Sequence, residues 1–118
     1  MSEDEMLQKA SDVAVGEVIQ VRSVKATTRQ GIEYKEMEAT FRVTSPTKGA
    51  AKVNELWILR YQIVDSPRYA GDKVPQFEKG DKLAVYGRRT QKNDEGKLLV
   101  FLTSSNDIRL QEAAPSDE

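Results

Sequence analysis

Glu36 and Glu38 stand two residues apart in the run EYKEMEATF, so on an extended strand their side chains share one face. Glu17 falls in an earlier extended stretch and can reach them from an adjacent strand. Carboxylates grouped in this way can divide acid and base roles or hold a hard cation. The same glutamates alternate with Met37, Ala39 and Phe41, as the solvent face of a half-buried strand does. That pattern explains them without chemistry. The rest of the catalytic kit is narrow, because the chain has no Cys and no His. Disulfides, thiolate nucleophiles and Cys-type zinc sites are excluded, and so are Ser–His and Cys–His pairs and His-ligated metals. The expectation is a protein that is not an enzyme and has no catalytic residue, metal or cofactor.

Binding chemistry is better represented. Trp57, Tyr61, Tyr34, Tyr69 and Tyr86 could build a stacking platform, on which each base contributes about 1–3 kcal/mol. Trp57 and Tyr61 run in phase with Leu59 and Ile63, however, which is also how a core wall reads. Lys82, Arg88, Arg89, Lys92 and Lys97 face only Asp94 and Glu95, five against two, a balance of +3 over 82–97. Such a hairpin can grip phosphates or simply guard its edge strands with charge. Glu33, Glu36 and Glu38 oppose polyanion binding nearby, and the whole chain, with 18 basic and 19 acidic residues, carries no steering field. The connection 65–79 is long, with Pro67, Gly71 and Pro75, and long connections on a rigid scaffold are a common place for recognition. This connection and the barrel face beside it supply the candidate ligand contacts Arg60, Arg68, Tyr69 and Phe77. Trp57, Tyr61, Tyr86, Arg88 and Arg89 form the alternative, nucleic-acid face.

The elements that must position these residues are mostly strands. Ser2 and Glu5 have capping-box spacing ahead of Met6, Leu7 and Ala10, which predicts a short helix within 1–12 that packs on the remainder. Alternation predicts strands near 13–26, 32–44, 53–63, 82–88 and 98–103, with Gly16 as a bend or bulge. Turns or loops are expected at 27–31, at 45–51 with Pro46 and Gly49, and at 93–96, and residues 111–118 read as a polar tail. The 118 residues suit one domain. Five strands with a long third connection, spanning 13–110, predict an all-β, Greek-key OB-type barrel. No stretch approaches the roughly 20 apolar residues of a membrane span.

Two families share short motifs with the chain. EMLQKASDVAVGEVIQV resembles the helix and first strand of netrin-like domains related to tissue inhibitors of metalloproteinases. ATFRVTSPTKG, FEKGDKLAVYG and LTSSNDIRLQEA resemble their second strand, a later barrel strand and their closing segment, where a cysteine usually stands near Ser104 or Ser105. The resemblance implies a secreted or periplasmic OB-type domain. It does not carry over the inhibitory mechanism, since the zinc-chelating N-terminal Cys-x-Cys is missing. FEKGDKLAVYGRR is also similar to a strand segment of nucleic-acid-binding OB-folds. The expected function is a non-enzymatic protein-interaction module of the cell envelope or secreted space, if an export signal precedes Met1, and a cytoplasmic one otherwise. The alternative is single-stranded nucleic-acid binding through the barrel face.

Overall fold

A computed structural model of the chain describes residues 2–64, 74 and 76–111. The expected contacts Arg68 and Tyr69, and the tail from residue 112 onward, lie outside the described residues. The chain begins with helix α1 (Glu3–Lys9), followed by β1 (Asp12–Arg29), β2 (Ile32–Lys48), β3 (Leu56–Val64), β4 (Lys82–Gly87), β5 (Thr90–Lys92), β6 (Leu98–Phe101) and β7 (Ile108–Leu110). The protein is thus mostly β, with a single short helix among the described residues. Seven strands appear there rather than five, and the helix stops at Lys9, three residues short of the expected boundary.

The strands form one sheet in the order β5-β6-β3-β2-β1-β4-β7. Every pairing is antiparallel except β3 with β6. Only Arg88 and Arg89 separate β4 from β5, yet these strands lie five places apart in the sheet order. Laid flat, that separation would be roughly 24 Å at ~4.8 Å per strand, which the step from Gly87 to Thr90 cannot span at ~3.5 Å per residue. The sheet must therefore curl until its two ends approach, although its hydrogen-bonded ladder stays open between β5 and β7.

Curling gives the sheet an inside. Ala39, Phe41 and Val43 of β2 and Trp57, Leu59 and Tyr61 of β3 point inward and pack with Val18, Leu83, Val85, Val100 and Ile108. The Phe41 and Trp57 rings meet at 5.7 Å between centroids and those of Tyr61 and Phe77 at 4.7 Å. A second, smaller cluster lies on the opposite face, where α1 places Met6 and Ala10 on Val13, Ala84 and Tyr86. β4 is therefore covered on both faces, which explains why LAVY has no polar position. Burying Met6 alone contributes about 2 kcal/mol. The Ser2 hydroxyl caps α1 by accepting from the Glu5 N–H at 3.2 Å.

β1 and β2 extend together into a long hairpin, closed by Gln30 (φ 53°) and Gly31 (φ 77°). Positive φ at both central residues is the turn geometry that matches strand twist. β2 runs through Pro46 to Lys48, where a loop was expected. Its pairing with β3 ends at Arg42, so Pro46 has only β1 beside it, an edge position that tolerates proline. β3 begins at Leu56 rather than 53, because Asn54 adopts a left-handed φ of 69° in the turn before it.

Candidate functional site

Outward-facing residues of four neighbouring strands line a groove of about 490 Å³. β1 supplies Gln20 and Arg22, β2 Glu38 and Thr40, β3 Ile58 and Arg60, and β6 Leu99. The turn between β5 and β6 closes one rim with Asn93, Glu95 and Lys97. Asn93 shapes that rim: its side-chain oxygen accepts from the Glu95 and Lys97 N–H groups at 3.0 and 2.9 Å.

Register explains the charge at the centre. Glu38 lies opposite Arg22 on β1 and opposite Arg60 on β3. Arg22 donates to Glu38 Oε1 from Nε at 3.0 Å and from Nη2 at 2.7 Å. Arg60 Nε sits 2.8 Å from Oε2, but its N–H is not aligned as a hydrogen bond. Burial opposes the charge on Glu38, yet the hydrogen bond from Arg22 and the positive charges of Arg60 and Arg22 outweigh it, holding the carboxyl below its ordinary range. The glutamate side chain is 12% exposed, while those of Arg22 and Arg60 are 62% and 41% exposed. One shielded carboxylate thus fixes two accessible guanidinium groups.

A smaller groove of about 240 Å³ adjoins on the far side of Arg60, lined by Glu36, Met37, Tyr61, Gln62, Phe101, Leu102 and Thr103. Phe101 is half-buried and pairs with Arg60 in the parallel β3–β6 ladder. Ile58, Leu99 and Phe101 make an apolar strip between the charged groups.

No family model, curated protein or solved structure matches this chain.

Of the expected loop contacts, Arg60 lies between both grooves, whereas Phe77 is core, 9% exposed against Tyr61. The aromatic face is not a surface. Trp57 is fully buried with its indole N–H donated to Glu55 at 2.9 Å, and Tyr61 and Tyr86 are 7% and 5% exposed. Trp57 and Tyr61 are in phase with Leu59, and that phase faces inward, whereas Tyr86 lies on the opposite face of the sheet and is covered by α1. Arg88 is tied to Asp107 at 2.6 Å, and only Arg89 is freely exposed. Glu17 pairs with Arg42 at 3.4 Å, further along the β1–β2 ladder and not opposite Glu38, whose β1 partner is Arg22. Among the described residues no three acidic groups converge as a metal cage. Arg22, Leu99 and Phe101 escaped the sequence reading, whereas Lys97 was singled out there as part of the basic hairpin. The alternation of β2 marks Glu38 as outward, but only the strand register reveals its two arginine neighbours.

Burial pushes the Tyr61 phenol up to about 12. Between the ordinary value near 10 and this one, the folded chain keeps a proton that the unfolded chain releases, so ionisation favours unfolding. The stabilisation from neutral Tyr61 is complete below pH ~10 and falls as pH rises toward 12. Urea midpoints compared near pH ~9 and ~11 should show the wild type losing about 1 kcal/mol more than Tyr61→Phe. Equal losses would show that Tyr61 titrates normally.

Proposed function

We propose that this chain is a non-enzymatic binding module, built as an OB-type barrel, which recognises a protein partner through the groove centred on Glu38. The barrel reading draws support from the parallel β3–β6 pairing and from the Arg88–Arg89 bend, which turns β4 and β5 into two halves of one broken strand. In that reading β1, β2, β3, the β4–β5 pair and β6 are the five barrel strands, and the groove occupies the face on which OB folds hold their ligands.

The observation that carries the functional reading is the groove's composition. It joins half-buried apolar side chains (Ile58, Leu99, Phe101) to arginines and to carboxylates of opposite sign. Aromatic residues and arginine are enriched at protein interfaces. Nucleic-acid faces instead require an excess of cations and exposed stacking rings, and here the rings of Trp57 and Tyr61 are turned inward and that of Tyr86 is covered by α1. An envelope or secreted location remains part of the proposal and depends on an export signal upstream of Met1.

Arg60→Glu should test it, used as bait beside the wild type in extracts of the source cells, with circular dichroism confirming that both fold. Proteins retained by the wild type and lost by the variant are the expected result. Labelled oligonucleotides bound at low salt and released as salt rises would replace this reading with the nucleic-acid one.

A further inference from the structure

Arginine carries five N–H donors in a planar fork. Glu38 uses Nε and Nη2 of Arg22 and lies against Nε of Arg60. Among the described residues, Nη1 and Nη2 of Arg60 and Nη1 of Arg22 donate to no protein acceptor, and both side chains line the groove. One fork is hydrogen-bonded to Glu38 Oε1 and the other lies against Oε2 as an ion pair, so both are held to the same carboxylate before any ligand arrives. Groups fixed in this way lose little freedom on binding.

The charge count then selects the ligand. Two arginines against Glu38 leave a single positive charge, and Lys97 at the rim has Glu95 at 3.5 Å. A polyanion would gain little here, because Glu36 and Glu95 border the same surface. One anionic group fits. Directly beyond Arg60, the strip formed by Ile58, Leu99 and Phe101 offers apolar contact to whatever carries that group.

We propose that the groove captures one carboxylate of an acidic–apolar peptide segment, held between Arg22 and Arg60, with a neighbouring apolar side chain laid on Ile58, Leu99 and Phe101. This rests on the protein-binding reading above and names the chemistry of the partner. Carboxylate recognition by a guanidinium fork is bidentate and charge-assisted, so loss of one fork should weaken binding sharply.

The test is a titration of isotope-labelled protein with the blocked peptide acetyl-Leu-Glu-Leu-Phe-amide, followed through backbone and arginine Nε resonances. Twin peptides replace the glutamate with glutamine or lysine, and acetate and a short oligothymidylate serve as further probes. Saturable shifts at Arg22, Arg60, Leu99 and Phe101 are expected with the glutamate peptide. Affinity should fall about tenfold or more for the glutamine twin. Arg60→Met should cause a similar fall, and Arg60→Lys should recover only part of it, both in folded protein as judged from the same spectra. Equal binding by either twin overturns the carboxylate assignment while leaving the face a peptide-binding one. Acetate reproducing the same shifts at the same affinity overturns the peptide as the source. Tighter binding of the oligothymidylate overturns both readings. If no peptide moves the groove resonances, the capture proposal falls, and the bait comparison decides the wider reading on its own.

Discussion

Gly16→Ala is expected to destabilise the protein by more than about 3 kcal/mol, at the upper end of what overpacking costs. Gly16→Val should leave little folded chain, given a typical total stability of about 5–15 kcal/mol. A Cβ at position 16 would collide with the Arg42 carbonyl oxygen and stand 2.6 Å from Cζ of the Phe41 ring. Neither neighbour can retreat easily. Arg42 belongs to the β2 backbone, and Phe41 is fully buried with its ring against Trp57. The register shifts between Val15 and Gly16, placing Thr44 of β2 outside the pairing. The Thr44 hydroxyl then donates to the Val15 carbonyl at 3.1 Å, occupying an acceptor that the irregular ladder exposes. A glycine is therefore needed because two backbones and a ring share one small space, not because of an unusual φ. Urea denaturation monitored by Trp57 fluorescence measures the loss. Pairing Gly16→Ala with Phe41→Leu should relieve the ring clash but not the carbonyl clash, so the two changes should cost less together than the sum of their separate costs. A Gly16→Ala midpoint within about 0.5 kcal/mol of the wild type would refute this account.

Gly16 was recognisable as an interruption in sequence because the Val13–Val15 alternation loses phase there. What lies over it was not, since Phe41 is distant in sequence and reaches Gly16 only through the β1–β2 register. The same division holds elsewhere. The alternation of β2 and β3 sorted inward from outward residues without any knowledge of partners, because a strand's two faces differ in burial whatever pairs beside it. Pro46 misled the boundary of β2, because proline argues against a central strand and sequence does not reveal which strands have edges. The Arg88–Arg89 bend was invisible for a related reason. No glycine or proline marks it after Gly87, and the break exists because β4 pairs with β1 while β5 pairs with β6.

The candidate site was the least legible part. Arg60 was among the expected contacts, but Arg22 belongs to a stretch whose spacing is disturbed by shifts at Val18/Gln20 and Ser23/Lys25. Glu38 looked like one of several exposed carboxylates. Its distinction is positional, opposite an arginine on each side, and cross-strand neighbours are set by register. The aromatics misled in the opposite direction. Trp57 and Tyr61 suggested a platform by residue type, whereas their phase with Leu59 pointed to the interior, and burial decided for phase.

Asp107→Ala is the second substitution expected to be severe, at about 3–5 kcal/mol, the usual cost of removing one partner from a buried ion pair. Asp107 is 1% exposed. Its Oδ2 accepts from the Thr103 and Ser104 N–H groups at 2.7 and 3.0 Å and from the Thr103 hydroxyl at 3.3 Å. Its Oδ1 accepts from Arg88 Nε at 2.6 Å, and its backbone carbonyl accepts from the Tyr86 N–H at 2.7 Å. The Asp107 side chain thus fixes the turn after β6 and braces the bend between β4 and β5, while its backbone carbonyl joins the start of β7 to β4. Alanine would strip two backbone donors and the Arg88 Nε–H of the Asp107 carboxylate, which is itself shielded from water although its donors are only partly so, and losing such an acceptor is costly. Asp107→Asn has nearly the same shape, but its amide nitrogen must face either the backbone donors or Arg88. It should fall between the wild type and alanine. Hydrogen exchange separates this account from a uniform loss of stability: Val85, Tyr86, Ile108 and Leu110 should lose protection ahead of the β1–β2 hairpin. Uniform loss across both regions would show that Asp107 does not act through the junction of β4, β5 and β7. Because that junction also carries the β5–β6 turn bearing Lys97, Asp107→Asn should loosen the groove's rim while leaving the contacts of Arg22 and Arg60 with Glu38 intact.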